Sequence, residues 1–294
     1  MGRGSSAVAF VTPNEPWSAA LRIAITTHLV SAWVGGEARI ADADGRPAVW
    51  FGSGVALYYA AHALAHAGLL PPADARELVA SLLAAQATLP ARDASAADLI
   101  ARQTAQGALY AARVTALLRA RKARLDDVLI ELVEEARAAG GPSVRPPLLR
   151  PAAFIDRVAR LVGEDERRVF ASVFEKGVPV ALPDDALGPC FSQRRARHPE
   201  FALGFDLDAT LESPTRVVSG LVPGGNAAKA DLLPTDVLVS SSVRAGRADV
   251  PVKLTVQRGQ EKKLLTFVPR GKEHAGYTFV RLPGLPDSQC GKVL

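Results

Sequence analysis

The sequence predicts an α+β protein in which a helical part precedes a small β domain. Between residues 16 and 174, apolar side chains recur at the three- and four-residue spacing of amphipathic helices, separated by capping residues and by Pro- or Gly-rich breaks. From Phe201 onward the pattern changes to the two-residue alternation of short strands. The 294 residues provide enough chain for two domains with cores of their own.

The domain boundaries follow these changes in composition. We predict a helical domain, a linker, a β domain and a tail at residues 1–185, 186–200, 201–284 and 285–294. The first helix is expected to begin at Pro16, with Asn14 as its cap, and to end at Gly35. The later helices are predicted at 53–67, 73–87, 94–122, 125–139, 151–162 and 164–174.

Residues 27–36 (THLVSAWVGG) have the aromatic residue and the glycine pair that follow the metal-binding motif of a zinc-peptidase helix, but not the metal ligands themselves. In a His-Glu-x-x-His helix, the two His at i and i+4 share one face and bind Zn²⁺, and the Glu between them is the general base. On that frame Thr27 and Ser31 occupy the two ligand positions. His28 occupies the position of the general base.

Three further segments extend this pattern: AVWFGSGVALYY at 48–59, QTAQGAL at 103–109 and LDDVL at 125–129. Together with the helix, and in this order, they resemble the glycyl aminopeptidase family, gluzincin metallopeptidases with a C-terminal PDZ domain. The resemblance implies that Ser53 stands where a Glu would be the third zinc ligand. It also implies that Thr104 replaces a Tyr that steadies the transition state. The family's large N-terminal β-region and the sheet half of its catalytic domain have no counterpart in this sequence.

The resemblance therefore implies a degenerate, N-terminally truncated member, with no metal ion and no cofactor. We expect Thr27, Ser31 and Ser53 to cluster with His28 in a vestigial cleft. The expected function is non-covalent binding of a peptide or protein partner, to assist another enzyme. Two alternatives stay open: a hydrolase with a rebuilt site that uses His28 with Ser31 or Ser53, and a purely structural subunit of a complex.

The β domain contains three segments that resemble a PDZ domain: ALGF at 202–205, VVSGLVPGGNAAKADLLPTDVL at 217–238 and VKLTVQRG at 252–259. The resemblance implies that the backbone N–H groups of Leu203, Gly204 and Phe205 form a nest for a peptide carboxylate. One helix is expected near 227–232. Only 240–251 connects the strands on either side, which predicts a loop instead of the three-turn helix that walls a PDZ groove. Peptide binding by this domain alone is therefore expected to be weak.

The net charge of +5 lies entirely within residues 191–294 and is densest at 193–198 (QRRARH). We favour a solvated linker for this segment, with an electrostatic landing site for an acidic partner as the alternative. No interleaved aromatic residues and no nucleic-acid motif accompany it, so we expect no nucleic-acid partner. The sequence leaves the oligomeric state open.

Other features point to a cytoplasmic protein without membrane association, because the sequence has no apolar run of membrane-spanning length and no signal peptide. Cys190 and Cys290 bracket the PDZ-like segment, so a disulfide between them is geometrically possible, but a reducing compartment favours two unpaired thiols. His62 and His66 are spaced for metal binding on a helix. Without a third ligand nearby in the sequence, we interpret them as a partly exposed helix face.

Overall fold

The computed structural model describes residues 16–90, 95–140 and 146–285, and within them the fold is α+β. The helices are α1 (Ala19–Ser31), α2 (Ala56–His66), α3 (Pro72–Thr88), α4 (Ala96–Ala120), α5 (Leu125–Gly140), α6 (Pro151–Val162), α7 (Asp165–Phe174), α8 (Leu207–Glu212) and α9 (Asn226–Lys229). The strands are β1 (Phe191–Phe201), β2 (Val237–Ser241), β3 (Val252–Arg258), β4 (Glu261–Phe267) and β5 (Arg270–Arg281). A single π-helical turn, Trp50–Val55, leads directly into α2.

The described chain divides into two compact units. A helical unit runs to Arg195 and resumes at Tyr277, and a β unit spans Ala196–Gly276. Most of the segment predicted as a linker, 186–200, forms β1, which pairs with β5. The predicted β domain at 201–284 also differs from the compact unit, since the end of β5 belongs to the helical unit.

The predicted helices from 73 to 174 are found within two residues of their expected ends. Their signals are local: Pro151 occupies the first turn of α6, and the Ser95 hydroxyl accepts a hydrogen bond from the amide of Asp98 at the start of α4. The first helix begins later than predicted. Ser18, whose hydroxyl accepts from the Leu21 amide, caps α1, and Asn14 lies outside the described residues.

The core of the helical unit is built around aromatic rings from distant parts of the chain. The ring of Trp50 lies 4.6 Å from that of Phe174, 5.3 Å from Phe170 and 5.6 Å from Phe154, measured between ring centroids. These distances are typical of favourable tilted and edge-to-face pairs. The cluster fixes the π turn against α6 and α7. No helix in the described ranges is both long and apolar enough to cross a membrane.

The β unit contains an antiparallel sheet with the strand order β2-β3-β4. On β3, the alternation predicted from sequence places Val252, Leu254 and Val256 in the core, and Leu254 is paired with Leu265 of β4. Between β2 and β3 the chain forms turns and no helix, in agreement with the loop expected there. The expected short helix appears as α9.

A second helix in this unit, α8, was not predicted. The Asp206 side chain accepts a hydrogen bond from the Ala209 amide and caps the helix. The Thr210 hydroxyl then donates to the carbonyl of Asp206 and accepts from the amide of Ser219 at 3.0 Å. A capping signal was therefore present in the sequence, within a segment that we interpreted as strand.

Cys190 is fully buried and disulfide-bonded, so the expectation that it stays unpaired is wrong. Burial excludes solvent and the reagents dissolved in it from the sulfur. The other cysteine of the chain, Cys290, lies outside the described residues.

The β unit is held together at one corner by the Asp236 carboxylate, which is 0% exposed. Arg258 donates to it through Nε and Nη2, both at 2.7 Å, and the Leu233 amide donates at 3.0 Å. Burial acts to raise the pKa of Asp236, but the hydrogen bonds and the charge of Arg258 outweigh it, and the pKa is lowered. Because the folded-state pKa is depressed, the resulting stability is present above the unfolded-state pKa and is lost as pH falls through the folded value.

We expect Asp236→Asn to lower the free energy of unfolding by about 2 kcal/mol at pH 7, because it leaves the Arg258 donors without their charged acceptor. Asp249→Asn is the control, since Asp249 forms an exposed pair with Arg247 and should cost less than about 0.5 kcal/mol. Urea unfolding of the full chain from pH 7 to pH 2.5 measures both. A deficit of Asp236→Asn that does not shrink below pH 4 would contradict the assignment.

Candidate functional site

Helix α1 presents hydroxyl groups where the zinc-peptidase frame would place metal ligands. Thr27 and Ser31 are one helical turn apart and share a face of α1. The Ser31 hydroxyl donates a 2.7 Å hydrogen bond to the backbone carbonyl of His28. The Thr27 Oγ1 is buried and has no hydrogen-bond partner in the described structure. Neutral hydroxyls do not replace imidazole as zinc ligands.

The π turn holds the third predicted ligand position, Ser53, between Gly52 and Gly54. Single π turns occur frequently at functional sites. Trp50 and Phe51 are buried and anchor the turn in the core. Ser53 itself is partly exposed.

Glycines at the π turn allow two neighbouring segments to approach it backbone to backbone. A Cβ added to Gly54 would lie 2.7 Å from the Cα of Gly107 on α4, and one added to Gly107 would lie 1.8 Å from the carbonyl oxygen of Trp50. A Cβ added to Gly35, just beyond α1, would lie 2.8 Å from the Cα of Gly52. The turn therefore meets α4 and the end of α1 at distances that only glycine permits.

The structure places two of the predicted positions, Ser53 and Thr104, on adjacent backbone segments, since the carbonyl of Thr104 lies 2.7 Å from a Cβ built on Gly54. Gly35, four residues after Ser31 and beyond the end of α1, contacts the same turn. No hydrogen bond joins the side chains of the predicted site positions in the part of the chain that the structure describes.

Metal-ligating side chains do not gather here. Among residues 16–90, 95–140 and 146–285, no group of three or more His, Cys, Asp or Glu is placed to hold a metal ion. The one titratable side chain of the predicted set, His28, is exposed on α1. Apart from the exposed imidazole of His28, the predicted positions offer only hydroxyl groups, which are poor zinc ligands.

His62 and His66 pack against each other on α2, with ring centroids 4.3 Å apart. The ring of His62 also stacks on Tyr58. Nearby, Asp126 accepts a 2.8 Å hydrogen bond from the Tyr59 hydroxyl. Burial acts to raise the pKa of Asp126, but hydrogen bonds from Tyr59 and other groups lower it, and the charge of His62 acts in the same direction. These contacts account for the two histidines as part of a polar helix face.

In the β unit, the predicted carboxylate loop retains its glycine. Gly204 has φ +89°, in the left-handed region that favours glycine, and its carbonyl accepts from the Val222 amide at 2.8 Å. Leu203 and Phe205 point their side chains into the core. The segment that follows the loop is the helix α8 and not a strand, so an extended peptide finds no strand edge there.

A cavity of about 450 Å³ lies beside the π turn, at a place that the sequence patterns did not predict. Its polar wall comes from Arg102, Gln103 and Gln106 of α4, and Trp50 and Phe174 supply aromatic surface. None of the predicted zinc-site positions lines it. The one signal in the sequence is the pair of polar residues at 102 and 106, a turn apart in an Ala-rich helix.

No protein-family model matches this sequence, and no curated protein matches it. A solved structure does match: an aminopeptidase N family protein from Idiomarina loihiensis aligns with a TM-score of 0.51 at 13% sequence identity. The alignment covers 97% of this chain and 57% of that chain, so this chain spans little more than half the length of its structural neighbour. At this identity the similarity concerns the fold alone, which is peptidase-like.

We expect Gly54→Ala and Gly107→Ala each to destabilise the protein by about 3 kcal/mol or more, because the added methyl would overlap backbone atoms. Gly52→Ala is the matched control in the same turn, since its Cβ would meet only the Cα of Gly35 at 3.7 Å. Chemical denaturation of the three variants measures the difference. Similar stability of Gly52→Ala and Gly54→Ala would show that the turn is not close-packed as described.

Proposed function

We propose that this chain is a peptidase-like protein that does not catalyse hydrolysis and instead binds a peptide or protein partner. The observation that supports this is a contrast at the π turn. The glycine contacts that position α1 and α4 are present. The side chains at the predicted catalytic positions are four hydroxyls and an exposed histidine: Thr27, His28, Ser31, Ser53 and Thr104.

Helix α1 is the first candidate binding surface. It is largely apolar, yet none of its residues is buried, and Leu29 is 55% exposed. Trp17, just before the helix, is 63% exposed. An apolar helix is normally covered, and exposed aromatic and aliphatic side chains are typical of interaction surfaces.

The β unit is the second candidate surface, and we propose that it is PDZ-like. The left-handed Gly204, the sheet β2-β3-β4 and the helix α9 support this interpretation. Because α8 follows the loop, an acidic peptide would bind by its carboxylate at residues 203–205 and not by strand addition. The positive charge in the C-terminal part of the chain would steer such a peptide toward the site.

A rebuilt hydrolase is the weaker candidate. Nucleophilic catalysis needs a hydroxyl within hydrogen-bond reach of a base, whereas the Ser31 hydroxyl donates to the backbone carbonyl of His28 and not to its ring. If the protein is a purely structural subunit, it should have no affinity for a peptide. The binding experiment that tests the main proposal therefore tests this alternative as well.

We expect the protein, purified without a His tag, to contain no stoichiometric zinc and to show no turnover of N-terminal glycine or alanine substrates above a buffer blank. Elemental analysis and a fluorogenic assay measure the two. About one Zn per chain after dialysis would refute the proposal, as would turnover that Ser31→Ala abolishes.

Restoring the metal ligands tests whether the frame is that of a zinc site. The variant Thr27→His, His28→Glu, Ser31→His, Ser53→Glu should bind one zinc ion, because these positions would supply two imidazoles and a carboxylate. The control variant carries the other three substitutions without Ser53→Glu, and it should bind zinc at least tenfold more weakly. Equal zinc affinity of the two variants would show that Ser53 does not face α1.

We expect an acidic peptide with a free C-terminus to bind the full chain on the order of micromolar or weaker, with affinity that falls as salt increases. Gly204→Ala should remove this binding, because the residue has a positive φ and its Cβ would lie 3.0 Å from the Asn226 amide nitrogen. Gly246→Ala is the control, also at positive φ but in open space. Calorimetric titration measures both, and equal affinities would exclude the loop as the carboxylate site.

A further inference from the structure

Strand β4 forms an open edge of the sheet in the β unit. The strand order is β2-β3-β4, so β3 is paired on both sides. The outer side of β2 is covered, because the Leu238 amide donates to the carbonyl of Arg216 at 2.8 Å and Val237 forms a bridge with Val217. Within the described residues, no backbone segment other than β3 pairs with β4. β4 is therefore the edge at which this sheet can be extended.

The register of β4 shows which of its backbone groups face outward. A two-residue turn joins β3 to β4, with Arg258 paired to Glu261 on either side of it. In such a hairpin the pair that flanks the turn exchanges both backbone hydrogen bonds, and bonded pairs then alternate along the strands. The amides and carbonyls of Lys262, Leu264 and Thr266 therefore point away from β3. All three of these residues are exposed.

Strand β4 lacks most of the features that keep an exposed edge from pairing. Natural edge strands are protected by proline, by bulges, by short length or by charge. β4 has seven residues, none of them proline, and all pair with β3 in an unbroken register. Leu264, in the middle of the strand, is 66% exposed. This leucine offers an apolar contact to a strand that lies against the edge.

The lysines near this edge determine which strand it would attract. Lys262 of β4 and Lys253 of β3 lie on the exposed face of the sheet, and neither forms an ion pair within the described residues. On the other face, Lys263 lies 4.0 Å from Asp231. The one carboxylate of β4 is Glu261, its first residue. An acidic strand would therefore be attracted, whereas a second copy of β4 would bring two lysine-bearing edges together.

We propose that β4 binds an extended, acidic internal segment of a protein partner by strand addition. The backbone of the partner segment bonds to the outward groups of Lys262, Leu264 and Thr266. An apolar side chain of the segment packs beside Leu264, and an acidic one lies beside Lys262. This binding mode rests on the proposed function, in which the β unit binds a peptide, but it uses a different place and requires no free C-terminus.

NMR titration of the isotope-labelled full chain with a blocked peptide tests the proposal. The probe, acetyl-Ser-Thr-Val-Val-Glu-Glu-Ser-amide, has no free carboxylate for the loop at 203–205. We expect a Kd on the order of 100 micromolar and slower hydrogen exchange at the amides of Lys262, Leu264 and Thr266. No saturable binding at about 2 mM peptide, or binding without protection of these amides, would overturn the proposal.

The two ways of binding a peptide can fail separately. If the blocked peptide does not bind while a free-ended acidic peptide still binds through Gly204, strand addition at β4 is refuted and the proposed function stands. If the blocked peptide alone binds and protects the three amides, the edge is supported and the loop at 203–205 is excluded as the site.

A charge reversal separates the edge from general electrostatic attraction. Lys262→Glu should weaken binding of the acidic probe about fivefold or more, and strengthen binding of the same peptide with lysine in place of both glutamates. Lys176→Glu, at an exposed position of the helical unit, changes the net charge equally and should leave both affinities unchanged. Equal effects of the two substitutions would overturn the assignment to β4.

A proline at the edge tests the backbone contact. Because the amide of Leu264 points away from β3, Leu264→Pro removes no hydrogen bond within the sheet, yet it should weaken binding about tenfold or more. Leu264→Ala is the control, since it retains the amide, and should weaken binding less. Wild-type affinity in a Leu264→Pro protein that circular dichroism shows to be folded contradicts strand addition. A dimer in sedimentation that Leu264→Pro dissociates would assign the edge to a second copy and overturn the proposal.

Discussion

The helical unit depends on a backbone contact that only glycine permits, between the π turn and α4. Gly54 and Gly107 meet without side chains between them, and the Trp50 carbonyl lies where any Cβ on Gly107 would be. The same turn carries the Trp50 ring into the aromatic cluster with Phe154 and Phe174. Backbone contact on one side and ring packing on the other fix the turn in position, and α1 and α2 are placed relative to it.

If the chain does not catalyse hydrolysis, as proposed, this constraint explains how its fold is maintained. The residues that hold the frame are glycines and buried aromatics, whose contribution is close packing. The residues at the predicted catalytic positions, such as Ser31 and Ser53, make few contacts that the frame depends on. Small hydroxyls at these positions therefore cost little stability, and the packing does not depend on metal-ligating side chains there.

The helices from 73 to 174 could be predicted because their signals are local: apolar periodicity, a Ser cap, and Pro in the first turn of α6. Strand β1 could not, because its partner β5 lies about 80 residues further along the chain and its basic residues resemble a linker. Helix α8 has a capping signal at Asp206, but it was not predicted because the segment was interpreted as a strand. The cavity had only the polar pair at 102 and 106 as a signal, since its walls come from segments between 42 and 177.

The π turn supports both the cavity and the predicted site, and this limits how the two can be separated by mutation. Trp50 lines the cavity, while Ser53, three residues later in the same turn, lies beside Thr104. A substitution that displaces the turn, at Gly107 for example, would alter both the cavity and the predicted site, and could not show which of them a change in binding comes from. Exposed positions such as Leu29 on α1 and Asp44 in the cavity wall each belong to one surface only, because neither side chain supports the turn. The surface of α1 and the cavity can therefore be altered separately by substitutions on the outside of the helical unit, but not by substitutions in its core.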